Sequence, residues 1–362
     1  MPAKKTIVFH APYPLEENYA SGSRLRPTQM RQAFQNLGYE VYEITGNPAQ
    51  RAAAFRQLKK EIKAGKKIEF VYGENSTQPN LLSTSIKKNP APFLEARIFS
   101  YFHRQQIPVG IFYRDIYWKF PEGLAGIPLW QRSLRKLLYR FDLYAMSRAR
   151  VHLFLPSEEM SAYVPYPANL CSPLPPGAMV KESVTPSGLH IFYVGGLGAH
   201  YGITKALQAV GKTANVELTM CVRKEQWEAY RAELSPYMHE RIQIVHGSAK
   251  ELAPYYDAAS LGLLFMEPNE YRRFAVPIKL YEYLGYGKPI IASEGTLAGE
   301  VVREKGIGFT IPYKQENLVT LLEDLAANPQ KLADVTARVQ KVREEETWEA
   351  RAKSAAAVLE NN

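Results

Sequence analysis

Lys279 and Glu282 lie three residues apart in the run Arg272-Arg-Phe-Ala-Val-Pro-Ile-Lys-Leu-Tyr-Glu-Tyr-Leu-Gly-Tyr-Gly-Lys-Pro289. On a helix that spacing puts both side chains on one face. A lysine there can neutralise a phosphate, and a glutamate can accept both hydroxyls of a ribose. Pro277 suits a helix start, where its missing N–H costs nothing, and the free amides and dipole of that end favour an anion. Ile278, Tyr281 and Leu284 supply a packing face. The alternative for the same residues is a surface ion pair on a core helix.

A second group of residues points the same way. In Tyr193-Val-Gly-Gly-Leu-Gly-Ala-His-Tyr-Gly202 a strand gives way to a glycine turn. Gly195, Gly196 and Gly198 let backbone approach a ligand, though a plain turn would read alike. The spacing departs from G-x-G-x-x-G. The next strand ends Cys221-Val-Arg-Lys224, where a dinucleotide fold would place an acid for the ribose. NAD is therefore disfavoured, whereas Arg223 and Lys224 suit a phosphate. Asp115 follows the strand Val109–Tyr113, where strand-end polar groups face a crevice; it could also simply cap the next element.

Other chemistries find no residues. The seven histidines are dispersed, and no Cys-x-x-Cys, Gly-x-Ser-x-Gly or Walker loop occurs. No protein metal site and no cofactor are expected. Two cysteines in 362 residues make no disulfide framework and fit a reducing compartment. The N-terminal apolar run is too short for a signal peptide or a membrane span, so a cytoplasmic protein is expected. With 46% hydrophobic and 22% charged residues, the composition is that of a folded globular chain.

The net charge of +9 is uneven: residues 1–150 hold 24 Lys+Arg against 11 Asp+Glu, and the remainder 21 against 25. A basic first half suits an anionic partner or serves solubility alone. No nucleic-acid motif is present. Residues 129–147 read as a helix with Trp130, Leu134, Leu137, Leu138 and Phe141 on one side and Arg132, Arg135, Lys136 and Arg140 nearby. That stripe is either core packing or a face for an anionic membrane, which would make the protein peripheral at the inner leaflet. The polar loop 74–89 suits acceptor contact or mobility.

The elements that must position these groups alternate along the chain. Strands are expected at 6–10, 39–45, 68–72, 109–113 and 151–155, with helices at 24–37, 49–64, 93–105 and 129–147 between them. After a proline-rich stretch the alternation restarts. Strands are expected at 190–194, 216–222, 242–245, 261–266 and 289–292, and helices at about 203–212, 224–238, 250–258, 277–286, 296–304, 314–326, 328–343 and 347–359. This is α/β, two doubly wound parallel sheets. The expected division is 1–180, then 185–343 with a linker near 178–188, and 344–362 as a helix crossing back to the first domain.

Pro277, Lys279, Glu282-Tyr283, Gly287-Lys-Pro289 and Ile290-Ile-Ala292 resemble the donor-site block of retaining GT-B glycosyltransferases of the family-four, or group 1, type. Weaker pieces follow in the same order along most of the chain: Leu155-Pro-Ser157, Leu174-Pro-Pro-Gly177, the 195–198 loop, Ile244-Val-His-Gly-Ser248, Tyr255-Tyr-Asp257 and Trp348–Arg351. The resemblance implies a GT-B fold, two Rossmann-like domains facing across a cleft, the second binding a nucleotide-sugar. It gives Glu282 the ribose and Arg223, Lys224 or Lys279 the diphosphate. The 246–248 backbone, with Gly247 and Ser248, would border the base, and the 272–276 loop, with Arg273, Ala275 and Val276, the sugar. The loop around Gly22 would lie near the donor phosphates, and Asp115 near the transferred sugar.

Two departures stand out. Relatives carry a second glutamate with seven residues between it and the first; here that position is Phe274, and amides of Ala275 to Pro277 are expected to take over part of its role. Relatives also carry a basic residue in the glycine loop, where Gly196 and Leu197 stand, and Arg223 is expected to compensate. The activity implied is transfer of a sugar from a nucleotide-sugar to a glycan, lipid-linked or protein-linked acceptor, with retention. The alternatives are a sugar-nucleotide epimerase, an inverting transferase, or a catalytically silent partner subunit. Donor base, sugar, acceptor and oligomeric state are left open.

Overall fold

The computed structural model describes residues 4–15, 22–80, 91, 93–120, 126–198, 201–248 and 251–361. It has two compact units. Arg24–Pro175 and Trp348–Asn362 form the body of the first, and Pro176–Thr347 that of the second.

The first unit is built on six strands, β1 Thr6–His10, β2 Glu40–Ile44, β3 Val71–Glu74, β4 Val109–Phe112, β5 His152–Leu155 and β6 Cys171–Pro173. They run in parallel in the order β2-β1-β3-β4-β5-β6. The helices α1 Gly22–Asn36, α2 Pro48–Lys63, α3 Leu94–Arg104 and α4 Leu129–Arg148 connect them. Four of the five expected strands fall within two residues of their places. The third, expected at 68–72, is shifted to 71–74, which brings Glu74 into the sheet. β6 was not expected. It lies at the sheet edge and ends on Pro173, where a missing N–H removes no internal ladder bond. α1 begins two residues before the expected start, so Gly22 opens a helix rather than lying in a loop. The preceding loop residues 16–21, and most of the polar stretch expected at 74–89, lie outside the described residues.

The core of this unit includes buried Ile7, Phe9, Phe34, Phe70, Tyr72 and Phe154, together with Trp348, Ala352, Ala355 and Leu359 from α12 Trp348–Glu360. The last helix is thus part of the first unit's interior. Between β1 and β3 the strand order reverses, and polar groups gather at that carboxyl end. Arg26 of α1, 3% exposed, donates from Nε to Glu74 at 3.0 Å, and its guanidinium lies 3.4 Å from the Phe112 ring centroid. Tyr72 donates to the same carboxylate at 2.7 Å.

The second unit repeats the plan. Its strands are β7 Leu189–Val194, β8 Val216–Cys221, β9 Ile242–Val245, β10 Leu261–Leu264, β11 Ile290–Ser293 and β12 Gly308–Ile311. They are parallel in the order β12-β11-β10-β7-β8-β9. Helices α5 Thr204–Lys212, α6 Lys224–Leu234, α7 Ala253–Ala258, α8 Ile278–Gly285, α9 Leu297–Lys305, α10 Gln315–Ala327 and α11 Pro329–Glu345 alternate with them. β12 was missed because it is short, half-buried and glycine-led. Buried residues cover both faces of the sheet, as a fully sandwiched parallel sheet requires.

The stretch 178–188 is no free linker. Ala178 donates its N–H to Glu346 at 2.6 Å, Lys181 donates its own to Gly285 at 3.0 Å, and Lys288 Nζ reaches the Val184 carbonyl at 2.5 Å. These bonds tie the stretch to the second unit, and the division falls earlier, after Pro175.

Candidate functional site

In the second unit the strand order reverses between β7 and β10, and the loops at the carboxyl ends of β7 to β10 collect the expected residues. After β7, Tyr193 donates its hydroxyl to the Gly196 carbonyl at 2.6 Å, and Gly195 donates its N–H to Cys221 at 3.2 Å. Gly198 holds φ at +104, a region closed to most side chains. Residues 199–200 of this loop lie outside the described residues. After β8, Arg223 is the N-cap of α6 and Lys224 its first residue. Both are exposed, and neither side chain has a hydrogen bond or ion pair among the described residues. After β9, Gly247 and Ser248 are exposed, and Ser248 donates from both N and Oγ to Glu251, at 2.7 and 2.8 Å.

The helix α8 starts one residue later than expected. Pro277 is its N-cap, with extended backbone, and no side chain closes that end. Leu280, Tyr281, Tyr283 and Leu284 form its buried side, while Ile278, assigned to the packing face, is only half-buried. Lys279 Nζ meets Glu282 Oε2 at 2.5 Å, and Tyr256 of α7 donates to the same oxygen at 3.0 Å. Glu282 Oε1 makes no hydrogen bond among the described residues. The two side chains therefore form the ion pair of the alternative reading, with one carboxylate oxygen fixed by two donors and the other by none among the described residues. Tyr256 is itself held by stacking on Tyr286, 3.9 Å between centroids and 4° between planes. Burial, then the Glu282 charge, keeps its hydroxyl protonated far above the ordinary range.

Lys279 and Glu251 both lie near enough to act on the Cys221 thiol, whose pKa is raised chiefly by burial. The ends of β8 and β9 and the first turn of α8 therefore converge. One reading of the neighbouring loop needs correction. The Ala275 N–H is occupied by the Tyr271 carbonyl at 3.1 Å, so it is no free donor for a sugar. Phe274, where the resemblance implies a carboxylate, is 1% exposed and packs edge-on against Tyr271 at 5.2 Å. Of the rest of that loop, Val276 is half-buried and Arg273 is exposed with no side-chain partner among the described residues.

Arg272, expected only as the first residue of the 272–276 loop, has a distinct setting. It donates to the Glu267 carbonyl, its N–H is received by Asn269 at 2.9 Å, and it lies beside Tyr313, Tyr193 and Tyr201. Burial lowers its pKa. It is a cation at the β7–β10 switch point, which its place beside Arg273 in the sequence did not distinguish.

In the first unit, Asp115 accepts the N–H groups of Ile116 and Tyr117 at 2.6 and 2.9 Å. Both bonds reach Oδ1, just ahead of a short 3-10 turn at Tyr117–Lys119 whose N-cap is Ile116. Among the described residues no three His, Cys, Asp or Glu gather where a metal could sit, and no helix is long and apolar enough to cross a membrane.

Residues 188–328 match the family model of glycosyl transferases group 1. No curated protein matches by sequence. Solved structures share the fold over nearly the whole chain. HepE from Anabaena, described in complex with UDP-glucose, aligns with a TM-score of 0.65 and 12% identity over 98% of this chain and 99% of that one. Sucrose-phosphate synthase from Thermosynechococcus elongatus aligns at 0.61 and 15% over 98% of each. WaaG, a glycosyltransferase involved in lipopolysaccharide biosynthesis, aligns at 0.56 and 13% over 98% and 99%.

Proposed function

We propose, on the premise that this chain is a GT-B glycosyltransferase whose residues 188–328 are a group 1 domain, that its second unit holds a nucleotide-sugar by the ribose and diphosphate. From there a sugar is transferred, with retention, to a glycan, lipid-linked or protein-linked acceptor in the cytoplasm. The observation that carries this reading is the Glu282 carboxylate: one oxygen is fixed by Lys279 and Tyr256, and the other is free at the end of the sheet where loops converge. A carboxylate so oriented suits a ribose diol.

Lys279, Arg223 and Lys224 are the cations that balance the diphosphate as the anomeric bond lengthens. Their contribution is electrostatic and greatest when the leaving nucleoside diphosphate carries its full charge. In the retaining course the acceptor hydroxyl attacks from the face the phosphate leaves. The C–O bond to the acceptor forms as the anomeric C–O bond to phosphate breaks, and the leaving phosphate oxygen takes the acceptor proton. No residue of the chain is needed as nucleophile.

The buried Phe274 favours a second reading, that of a silent partner subunit, because the carboxylate that the resemblance implies at the sugar is replaced by core. The two are separated by incubating the protein with UDP-, GDP- and ADP-sugars and following free nucleoside diphosphate and the anomer of the product by NMR. A transferase gives slow hydrolysis that acceptor accelerates. A silent subunit gives no turnover with any donor, and an epimerase gives epimerised sugar without acceptor.

A further inference from the structure

The helix α4 is apolar on two opposite sides. Tyr139, Leu143 and Met146 face inward and are buried. Trp130, Leu134, Leu137, Phe141 and Tyr144 follow one another at spacings of four, three, four and three, which aligns them in one row along the helix. That row faces outward: Trp130 is 68% exposed, Leu137 64% and Tyr144 63%. Phe93, also exposed, packs edge-on against Phe141 at 5.9 Å and widens the patch. A helix with apolar residues on both sides needs a partner on each.

The charges say what kind of partner. Lys136, Arg140 and Arg148 of this helix are exposed, the first two flanking one side of the row and the third at its far end. The only acid of α4, Asp142, is turned inward, where it accepts the Asn80 N–H at 2.8 Å. No negative group of α4 borders the apolar row, and residues 1–150 as a whole carry an excess of 13 positive charges. Pairing two copies antiparallel through this row would set Lys136 and Arg140 against the same residues of the other copy, a like-charge contact.

We propose that α4 lies along an anionic lipid surface, with the row from Trp130 to Tyr144 in the acyl–headgroup boundary and Lys136, Arg140 and Arg148 against lipid phosphates. The row spans about 20 Å at the ordinary helical rise, long enough to hold the first unit at a fixed orientation to the surface. Membrane attachment does not depend on which sugar, if any, the second unit transfers.

The test uses the full chain with phosphatidylcholine vesicles, with and without one-third phosphatidylglycerol, in co-sedimentation at low and high salt. Sedimentation velocity without lipid runs alongside. The protein binds the anionic vesicles and is released by salt, and tryptophan emission shifts to the blue unless Trp130 is replaced by Tyr. Leu137→Glu weakens binding about ten-fold or more. The pair Lys136→Ala and Arg140→Ala weakens it about 20–30-fold. These side chains are exposed, so thermal melting of the variants matches the parent. Equal binding to both vesicle types overturns the proposal, as does binding to neither. A lipid-free dimer that Leu137→Glu splits overturns it in favour of a second copy.

Discussion

Glu282 separates binding from catalysis among the candidate residues. With Oε2 held by Lys279 and Tyr256 and Oε1 open, its loss removes hydrogen bonds to a charged acceptor. Glu282→Ala is expected to weaken nucleoside diphosphate binding roughly 10–100-fold by calorimetry. Arg223 is exposed and unpaired among the described residues, so it has freedom to follow the charge that builds on the leaving group. Arg223→Ala is expected to lower kcat by roughly 10–100-fold with a smaller change in KM. Parent-like kinetics in both variants would remove this site from consideration. Much of this was legible, because Lys279 and Glu282 are local in sequence and helical spacing alone brings them together. Tyr256 was not, since it reaches Glu282 from a different helix, 26 residues away. Arg272 was indistinct for a similar reason: only the β7–β10 reversal tells it from Arg273. Asp115 was legible only as a strand-end acid; that its Oδ1 would accept the two N–H groups beside it follows from the turn, not from the strand pattern.

Elements were easier to read than single side chains, because alternation of buried strands and amphipathic helices follows from burial alone. The exceptions have local causes. β6 runs through a proline-rich stretch that only a sheet edge tolerates, and β12 is too short and too glycine-rich to signal itself. The row on α4 was read correctly as a stripe, but periodicity cannot tell an inward stripe from an outward one; the shorter series Tyr139, Leu143 and Met146 turned out to be the core side. One packing relation ties β10 to α8. A Cβ at Gly262 would lie 2.4–2.7 Å from ring atoms of Tyr283. That ring is fully buried and its hydroxyl receives the Val194 N–H at 3.1 Å. Gly262→Ala is expected to destabilise the second unit by about 1–3 kcal/mol in urea unfolding. Because Tyr283 adjoins Glu282, it should also weaken nucleotide binding; an unchanged midpoint would show that the ring has room to shift.

For the molecule as a whole, the largest opposed pH responses come from two buried groups in the first unit, while burial also lowers the pKa of His152 and His190. His10 is pushed down to about 3, first by burial and then by the Arg51 charge. The unfolded chain takes up this proton below 6.5 and the native chain does not, so stability falls as pH drops from 6.5 towards 3. Asp142 is pushed up to about 7, chiefly by burial, with Glu95 adding to it and the Asn80 N–H opposing. The native chain keeps that proton where the unfolded chain releases it near 3.8, so stability falls as pH rises from 3.8 to 7. Between about 4 and 6.5 the two slopes, each about 1.4 kcal/mol per pH unit, offset one another. Urea unfolding at several pH values should give the parent a slope between those of its two single variants over this range. It should slope downward with pH in His10→Asn and upward in Asp142→Asn. Parallel profiles for all three proteins would contradict this pairing. None of it was visible in the sequence, where His10 and Asp142 are single polar residues in unrelated elements.

The seating of α12 among Ile7, Phe9 and Phe34 has a consequence for synthesis. A ribosome releases β1 to β6 long before it releases Trp348 and Leu359, and until then the half made first lacks part of its own interior. The half made second has all of its strands once residue 311 has emerged, and its own core closes with Leu318 to Val342, still ahead of Trp348. Birth order and completion order are reversed in this chain, and α12 acts as the keystone of what was begun first.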